Sequence, residues 1–153
     1  SRLDFVHCTY PILNYKALAV IFSERPAMSS IVILKGELLE MILEGARRLH
    51  PKESIVLLRG KVEKERIRVS DVLIPPFATY GRGFSSFPGH MLPMDFSIVG
   101  VAHSHPSGSL RPSVGDQNLS VGRIMLIVGF PYAGKENARV YTKQGESLIL
   151  EVI

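Results

Sequence analysis

The residues of this chain that are best suited to chemistry lie between His103 and Asp116. Two histidines, His103 and His105, are separated by one residue, and Asp116 follows eleven positions after the second. Imidazole nitrogens and carboxylate oxygens are zinc ligands, and a catalytic zinc site uses three protein ligands and leaves a fourth position for water. The spacing therefore predicts a site for one catalytic Zn2+ ion, held by His103, His105 and Asp116.

The segment before the first histidine predicts how the two imidazoles are brought together. Residues 96–102, with the sequence FSIVGVA, are apolar enough for a buried strand, which we expect to extend from Phe96 to His103. Side chains alternate along a strand with a period of two, so positions 103 and 105 point to the same side. The two imidazoles then converge without an unusual backbone.

Ser113 and Asp116 have a second interpretation that needs no metal. Their spacing is that of a capping box at the start of a helix, with Asp in place of the usual Glu or Gln, and we expect a helix over 113–123. Ser113 would then cap the helix and Asp116 would balance its dipole. The two interpretations are compatible, because the first helical turn also holds Asp116 in place for ligation.

At these residues the chain resembles the JAMM (MPN-plus) metalloprotease family. The family pattern is an upstream glutamate, then His-x-His, seven residues of which the first is proline, and finally Ser-x-x-Asp. Glu53 and the run from His103 to Asp116 fill every position. The resemblance covers about residues 30–153, includes HPKESIVLLRG at 50–60, and is strongest to archaeal members and the proteasome-lid deubiquitinase branch.

The resemblance implies a fold and a division of the chain. The expected fold is α/β, a single-domain mixed-sheet sandwich of the MPN/JAB, cytidine-deaminase-like type. Residues 29–153 would form the catalytic domain, and residues 1–28 an N-terminal extension of unknown role. Within that extension, 17–22 is strand-like and could add an edge strand or mediate self-association.

The resemblance also implies roles for Glu53 and Ser113. Glu53 would be the general base that deprotonates a zinc-bound water, and Ser113 would stabilise the oxyanion. The bond cleaved would be the amide after the C-terminal glycine of ubiquitin or a ubiquitin-like modifier, as in a deubiquitinase. Nothing local marks Glu53 apart from an ordinary exposed glutamate, and Glu44 and Asp95 are competing carboxylates.

The loop Tyr80–Pro93 is the candidate contact for the substrate tail. It contains three glycines and two prolines, and an insertion near here pairs with the modifier's extended diglycine tail in the family. Strand addition suits such a tail, because main-chain hydrogen bonds need no side chain. An ordinary loop with inward-packed phenylalanines fits equally well. His90 could lie near the site, although a surface histidine is the commoner case.

Composition indicates a small enzyme without a membrane partner. The chain has 153 residues, 46% hydrophobic and 21% charged, which suits one globular domain. No stretch reaches the ~18 apolar residues of a spanning helix. The single cysteine, Cys8, excludes an internal disulfide framework, favours a cytoplasmic location and is better explained as an incidental thiol than as a nucleophile.

Other functions remain open from the residues. The net charge of +4 suits an acidic ubiquitin-like partner or nucleic acid. RadC-type proteins share a related fold and a His-Pro-Ser-Gly motif, which 105–108 matches, but basic residues here are not interleaved with aromatics, which argues against nucleic acid. Processing of a sulfur-carrier precursor is another alternative, and the resemblance to the lid branch suggests association with a proteasome.

The remaining elements are predicted from periodicity and turn residues. We expect a helix over Gly36–Leu49 closed by Pro51, and strands that alternate with it. The strands are expected at 54–59, 66–74 and 124–130, followed by a hairpin of 138–142 with 147–152 about Gln144-Gly145.

Overall fold

The structure is a computed structural model that describes residues 31–75, 78–81, 84–86 and 95–153. The extension 1–28, with Cys8 and the strand-like segment 17–22, lies outside the described residues. So do His90 and most of the rest of the Tyr80–Pro93 loop.

The described part of the chain contains mostly strands, with two α-helices and one 3-10 turn between them. The helices are α1 (Gly36–Leu49) and α2 (Val114–Asn118), with a 3-10 turn at Lys135–Asn137. The strands are β1 (Ile31–Leu34), β2 (Ile55–Glu63), β3 (Arg66–Leu73), β4 (Thr79–Gly81), β5 (Phe84–Ser86), β6 (Ile98–His105), β7 (Ile124–Gly129), β8 (Ala138–Thr142) and β9 (Ser147–Val152).

Seven of these strands form one mixed sheet that closes on itself in the order β1-β3-β2-β6-β7-β8-β9. β1 is parallel to both β3 and β9, β6 is parallel to β7, and the remaining pairs are antiparallel. β4 and β5 form a separate two-stranded hairpin. The mixed sheet with its few helices confirms the predicted α/β class, while the closure of the sheet was not part of the sandwich prediction.

Helix α1 has the bounds that its periodicity predicts. Its buried residues Leu39, Ile42, Leu43 and Ala46 recur at helical spacing and pack into the larger apolar cluster of the protein. The outer face carries Glu44, whose carboxylate pairs with Arg47 at 2.9 Å and Arg48 at 2.8 Å. The helix therefore covers one side of the sheet and leaves its charges in solvent.

Strand β6 runs through the centre of the sheet between β2 and β7. Every residue from Val99 to His105 is buried. A second apolar cluster of Ile55, Leu57, Val101, Met125 and Ile127 packs beside it. The strand was predicted at 96–103, but it spans Ile98–His105 and therefore carries both histidines within the hydrogen-bonded ladder.

Helix α2 is much shorter than the predicted 113–123, since it ends at Asn118. The chain must turn before β7, and it does so at Gly122, whose φ of +75° favours glycine. A Cβ there would lie 2.4 Å from the carbonyl carbon of Val99, so the backbone also approaches β6 too closely for a side chain. Among the described residues, no helix is long and apolar enough to cross a membrane.

Candidate metal centre

Three buried polar side chains meet at the carboxyl end of β6. His105 Nε2 lies 3.1 Å from Asp116 Oδ2, and His103 Nδ1 lies 3.5 Å from Asp116 Oδ1. His103, His105 and Asp116 are 1%, 6% and 5% exposed. The structure therefore brings together the three residues predicted as metal ligands, with Asp116 between the two histidines.

Asp116 is held in place by the start of helix α2. The backbone N–H of Ser113 donates to Asp116 Oδ2 at 2.6 Å, and the backbone N–H of Asp116 donates to Ser113 Oγ at 3.1 Å. These reciprocal bonds form the predicted capping box. Asp116 thus caps a helix and faces the histidines with the same carboxylate.

His105 is oriented from behind by the loop that follows β6. Its Nδ1 lies 2.9 Å from the carbonyl oxygen of Ser109, and a carbonyl can only accept, so Nδ1 carries a hydrogen. That bond leaves Nε2 directed towards Asp116. Outer hydrogen bonds of this kind fix ring orientation in metal-ligating histidines.

The protonation of His103 and Asp116 suits ligation, whereas the contacts of His105 favour its protonated ring. Burial lowers the pKa of His103 to about 4, so its ring is neutral at pH 7. Burial alone would lower the pKa of His105, but its bonds to Asp116 and Ser109 raise it above the usual value. Burial opposes ionisation of Asp116, yet hydrogen bonds from His105 and Ser113 lower its pKa to about 2. A carboxylate and a neutral imidazole are the forms that bind zinc.

The hydrogen bonding of the His103 ring is the best test of whether a metal would fit this site. Both of its nitrogens are buried without a hydrogen-bond partner among the described residues, an arrangement that is costly unless another group satisfies them. Ligands about 2.0 to 2.1 Å from a tetrahedral zinc lie roughly 3.3 Å apart. The contacts of Asp116 with His105, at 3.1 Å, and with His103, at 3.5 Å, are close to that separation. The donor set therefore fits zinc.

The three side chains lie together but are not arranged around a common point. In the part of the chain that the structure describes, no three histidine, cysteine, aspartate or glutamate side chains already surround a common point as ligands of a bound metal do. Asp116 instead contacts each histidine directly. Binding of a metal therefore requires adjustment of these side chains.

Glu53 lies beside this cluster, two positions before the first residue of β2. Its backbone N–H donates to the carbonyl of Gly81 in β4 at 2.9 Å. Burial raises the pKa of the Glu53 carboxyl, the charge of His105 lowers it and that of Asp116 raises it, so Glu53 is within electrostatic range of both. A half-buried carboxyl with a raised pKa suits a general base.

The competing carboxylates are occupied elsewhere. Arg48 and Arg47 lower the pKa of Glu44 on the outer face of α1. Asp95 accepts hydrogen bonds from Ser97, which lower its pKa, and pairs with Arg59 at 3.3 Å. Of the three carboxylates considered, Glu53 is the one that the structure places near the histidines.

Ser113 stands at the exposed end of the cluster. Its Oγ accepts the Asp116 N–H, so its own hydroxyl hydrogen is left to donate to another group. The neighbouring Val114 is 75% exposed, an uncommon setting for a valine next to a buried polar cluster. Ser113 and Val114 therefore lie on the solvent side of Asp116.

The sequence analysis missed Ser104, the residue between the two histidines. Its hydroxyl accepts the backbone N–H of Ser54 at 2.7 Å, next to Glu53 in the chain. Strand alternation was the available signal, because it directs residue 104 away from the side that its neighbours face. Of the Tyr80–Pro93 loop, the described part is the β4–β5 hairpin, in which Tyr80 pairs with Ser85.

Comparison with known proteins identifies relatives of this chain. A family model described as prokaryotic homologs of the JAB domain matches residues 36–140. The chain is 34% identical over 130 residues to a "Probable metalloprotease" of Haloferax volcanii, covering 80% of each protein.

Solved structures give a consistent result. A JAB1/MPN domain protein from Archaeoglobus fulgidus is 33% identical, with a TM-score of 0.57 over 81% of this chain and 98% of that one. A structure described as JAMM, a metalloprotease-like zinc site in the proteasome and signalosome, is 32% identical, with a TM-score of 0.54 over 81% and 96%. A protein from Desulfitobacterium hafniense, 19% identical with a TM-score of 0.58 over 80% and 92%, shares the fold.

Proposed function

Because this chain belongs to the family of prokaryotic JAB-domain homologs, we propose that it is a zinc metalloprotease. Its proposed reaction is hydrolysis of the amide between the C-terminal glycine of a ubiquitin-like modifier and a lysine. The observation that carries the proposal is the buried cluster of His103, His105 and Asp116, in which both nitrogens of His103 lack a partner among the described residues.

The three clustered residues would hold the metal. Zinc bound there supplies a Lewis acid that polarises a carbonyl and lowers the pKa of water. The bond from His105 to the Ser109 carbonyl and the bond that Asp116 accepts from Ser113 would limit how far these two side chains must adjust when the metal binds. Protein hydrogen bonds therefore organise part of the site.

Glu53 would move the proton. A carboxylate beside the cluster can accept a proton from the attacking water and return it to the departing lysine amine. Burial raises the pKa of Glu53 towards neutral pH, and a carboxyl whose pKa is nearer to the working pH can both accept and return a proton. The bonds broken are then the amide bond and one O–H bond of water, and the products are a carboxylate and an amine.

Ser113 would stabilise the developing negative charge. Its Oγ is held by the Asp116 N–H, which leaves the hydroxyl hydrogen available for an oxyanion at the open side of the site. Donors already aimed at such a charge are among the largest contributions to catalysis. Ser113 thus combines helix capping with a proposed catalytic role.

The β4–β5 hairpin supports an extended glycine-ended tail as the substrate. β4 is bonded directly to the backbone of Glu53 through Gly81, and β5 has no second strand beside it among the described residues. A strand edge recognises a peptide through its main chain, which suits a tail whose last residues have no side chains. The hairpin would therefore deliver the scissile bond next to Glu53.

The test is cleavage of a ubiquitin-like protein joined by diglycine to lysine. Wild type and Glu53→Gln are compared with and without a zinc chelator, and zinc content is measured for each. We expect turnover to disappear with either change while Glu53→Gln keeps its zinc. Glu44→Gln is the matched control, because Glu44 is paired on the outer face of α1 and should be inert in this assay.

Two outcomes would overturn the proposal. Wild-type turnover in Glu53→Gln would remove Glu53 from the reaction. Zinc-loaded wild type that cuts no lysine conjugate but cuts a linear C-terminal extension would replace the isopeptide with precursor processing as the function.

A further inference from the structure

We propose that Ser104 is a positioning residue that fixes the backbone carrying Glu53 relative to the two histidines. The inference rests on the proposed function, since it concerns the presentation of the general base. Ser104 lies between His103 and His105 in β6 and is completely buried, at 0% exposure. Its side chain therefore cannot be explained by solvation.

The hydroxyl of Ser104 has a defined partner in the residue that precedes the neighbouring strand β2. Ser104 Oγ accepts the backbone N–H of Ser54 at 2.7 Å, and the backbone N–H of Ser104 donates to the Ser54 carbonyl at 3.0 Å. Ser54 follows Glu53 in the chain and is itself 8% exposed. Strand β6, which carries the two histidines, is thus joined to the segment that carries Glu53 by two hydrogen bonds, both made by Ser104.

The pairing differs from a regular antiparallel ladder. Ile55 is opposite His103, so Ser54 is opposite Ser104. In a hydrogen-bonded antiparallel pair, the two residues exchange both backbone N–H···O bonds. Here one of those bonds is made to the side-chain hydroxyl instead, so the backbone of β2 leaves the ladder at this point and Glu53 emerges from its end.

Glu53 depends on this backbone for its position. Among the described residues, no hydrogen bond holds the Glu53 carboxylate, while its backbone N–H is bonded to Gly81 of β4 at 2.9 Å. The next amide, that of Ser54, is bonded to Ser104 Oγ. Two successive amides are therefore fixed by different parts of the fold, and together they direct the carboxylate towards the cluster.

Loss of the hydroxyl would release one of the two anchors. Removing it leaves the buried N–H of Ser54 without its partner, which favours a shift of the segment. A displacement of about 1 Å in a catalytic group can reduce turnover by a factor of about a hundred. Because alternation directs the Ser104 side chain away from the histidines, the loss should leave metal binding intact.

The test compares Ser104→Ala with Ser104→Thr, which restores a hydroxyl, and with Ser104→Val, which has the shape of threonine without it. Ser120→Ala is the matched control, because Ser120 Oγ is buried without a hydrogen-bond partner among the described residues. For each variant we would measure zinc content, kcat and KM on the diglycine–lysine conjugate, and hydrogen exchange of the Ser54 amide.

We expect Ser104→Ala to keep its zinc, to lose about tenfold or more in kcat with KM within about twofold, and to exchange the Ser54 amide faster. Ser104→Thr should restore kcat and slow exchange, and Ser120→Ala should match wild type. If Ser104→Ala fails to fold, the threonine–valine pair isolates the hydroxyl at constant volume.

The outcomes separate this inference from the proposed function. Wild-type kcat and exchange in Ser104→Ala, or equal behaviour of the threonine and valine variants, would overturn the positioning role while leaving Glu53 as the base. Loss of zinc in Ser104→Ala would overturn it in favour of a role in the metal centre. If wild-type turnover does not depend on Glu53, the proposed function fails, and exchange of the Ser54 amide still decides whether Ser104 anchors this segment.

Discussion

The carboxylate of Asp116 meets the imidazole of His105 at 3.1 Å although the two residues are eleven positions apart in the chain. The same oxygen, Oδ2, accepts the backbone N–H of Ser113 at 2.6 Å. One carboxylate therefore contributes both to the start of helix α2 and to the buried polar cluster. The two contributions can be separated by substitution.

Asp116→Asn should impair the metal centre more than the helix. Asparagine keeps a side-chain oxygen that can accept the Ser113 N–H, and the cap from Ser113 Oγ is untouched, so α2 should persist. It has no negative charge to offer a cation, and loss of a direct ligand should exceed the ten- to hundredfold cost of losing an outer contact. We expect zinc affinity, measured by calorimetry, to fall about a hundredfold or more. Wild-type affinity in this variant would exclude Asp116 as a ligand.

Ser113→Ala should give the opposite pattern. The cap to the Asp116 N–H is lost, which lowers the free energy of unfolding by about 1 kcal/mol. Zinc should remain bound, whereas kcat should fall by about a hundredfold because a donor to the oxyanion is gone. Urea unfolding, zinc content and kcat measured on one preparation check all three. An unchanged kcat would reduce Ser113 to a capping residue.

The metal-free protein should lose stability between about pH 6.5 and pH 4. In the folded state burial holds the pKa of His103 at about 4, whereas the unfolded chain takes up that proton near 6.5. The unfolded state then binds more protons across this range, so the free energy of unfolding falls as the pH falls, by roughly 3 kcal/mol at most.

Two neighbouring groups, Asp116 and His105, change stability with pH on either side of this range. The lowered pKa of Asp116 adds a further loss as the pH falls from about 3.8 to about 2. The raised pKa of His105 contributes stability below pH 6.5 that is lost as the pH rises through its folded pKa. Urea unfolding of chelator-treated protein from pH 8 to pH 3 measures the profile. His103→Asn should remove the decline between pH 6.5 and 4, and a wild-type profile that is flat there would contradict the prediction.

Two glycine substitutions should change stability in opposite directions. A Cβ at Gly100, in β6, would lie 2.2 Å from the carbonyl oxygen of Ile124, so Gly100→Ala should destabilise the fold by roughly 3 kcal/mol. A Cβ at Gly45, in α1, meets nothing within 4 Å, and Gly45→Ala should stabilise by about 0.5–1 kcal/mol. Thermal unfolding of both variants checks the pair, and equal signs would argue against the close β6–β7 approach.

Local sequence pattern was sufficient to predict the elements whose bounds depend on neighbouring residues alone. Helix α1 follows from its apolar spacing and the following Pro51, and the hairpin of β8 and β9 from its turn residues. The length of α2 was wrong, because its end is set by contact between Gly122 and Val99, which a local pattern cannot contain. Closure of the sheet through β1 and β9 has the same cause, since it joins distant segments.

The residues of the candidate site differ in how far the sequence predicted them. Spacing alone suggested His103, His105 and Asp116, because strand alternation and a helix cap determine where they lie. Glu53 required a family resemblance, since its proximity to the histidines depends on how β2 pairs with β6. Ser104 was overlooked because its importance lies in a bond to another strand.

The contact between β1 and β9 has a mechanical consequence. These strands are parallel, with Ile31 opposite Ile149 and Leu34 opposite Val152. A force that pulls residue 31 away from residue 153 would therefore load the rungs of this ladder together, in shear, instead of opening them one at a time. We expect the barrel to resist stretching along this axis until these rungs break in a single event.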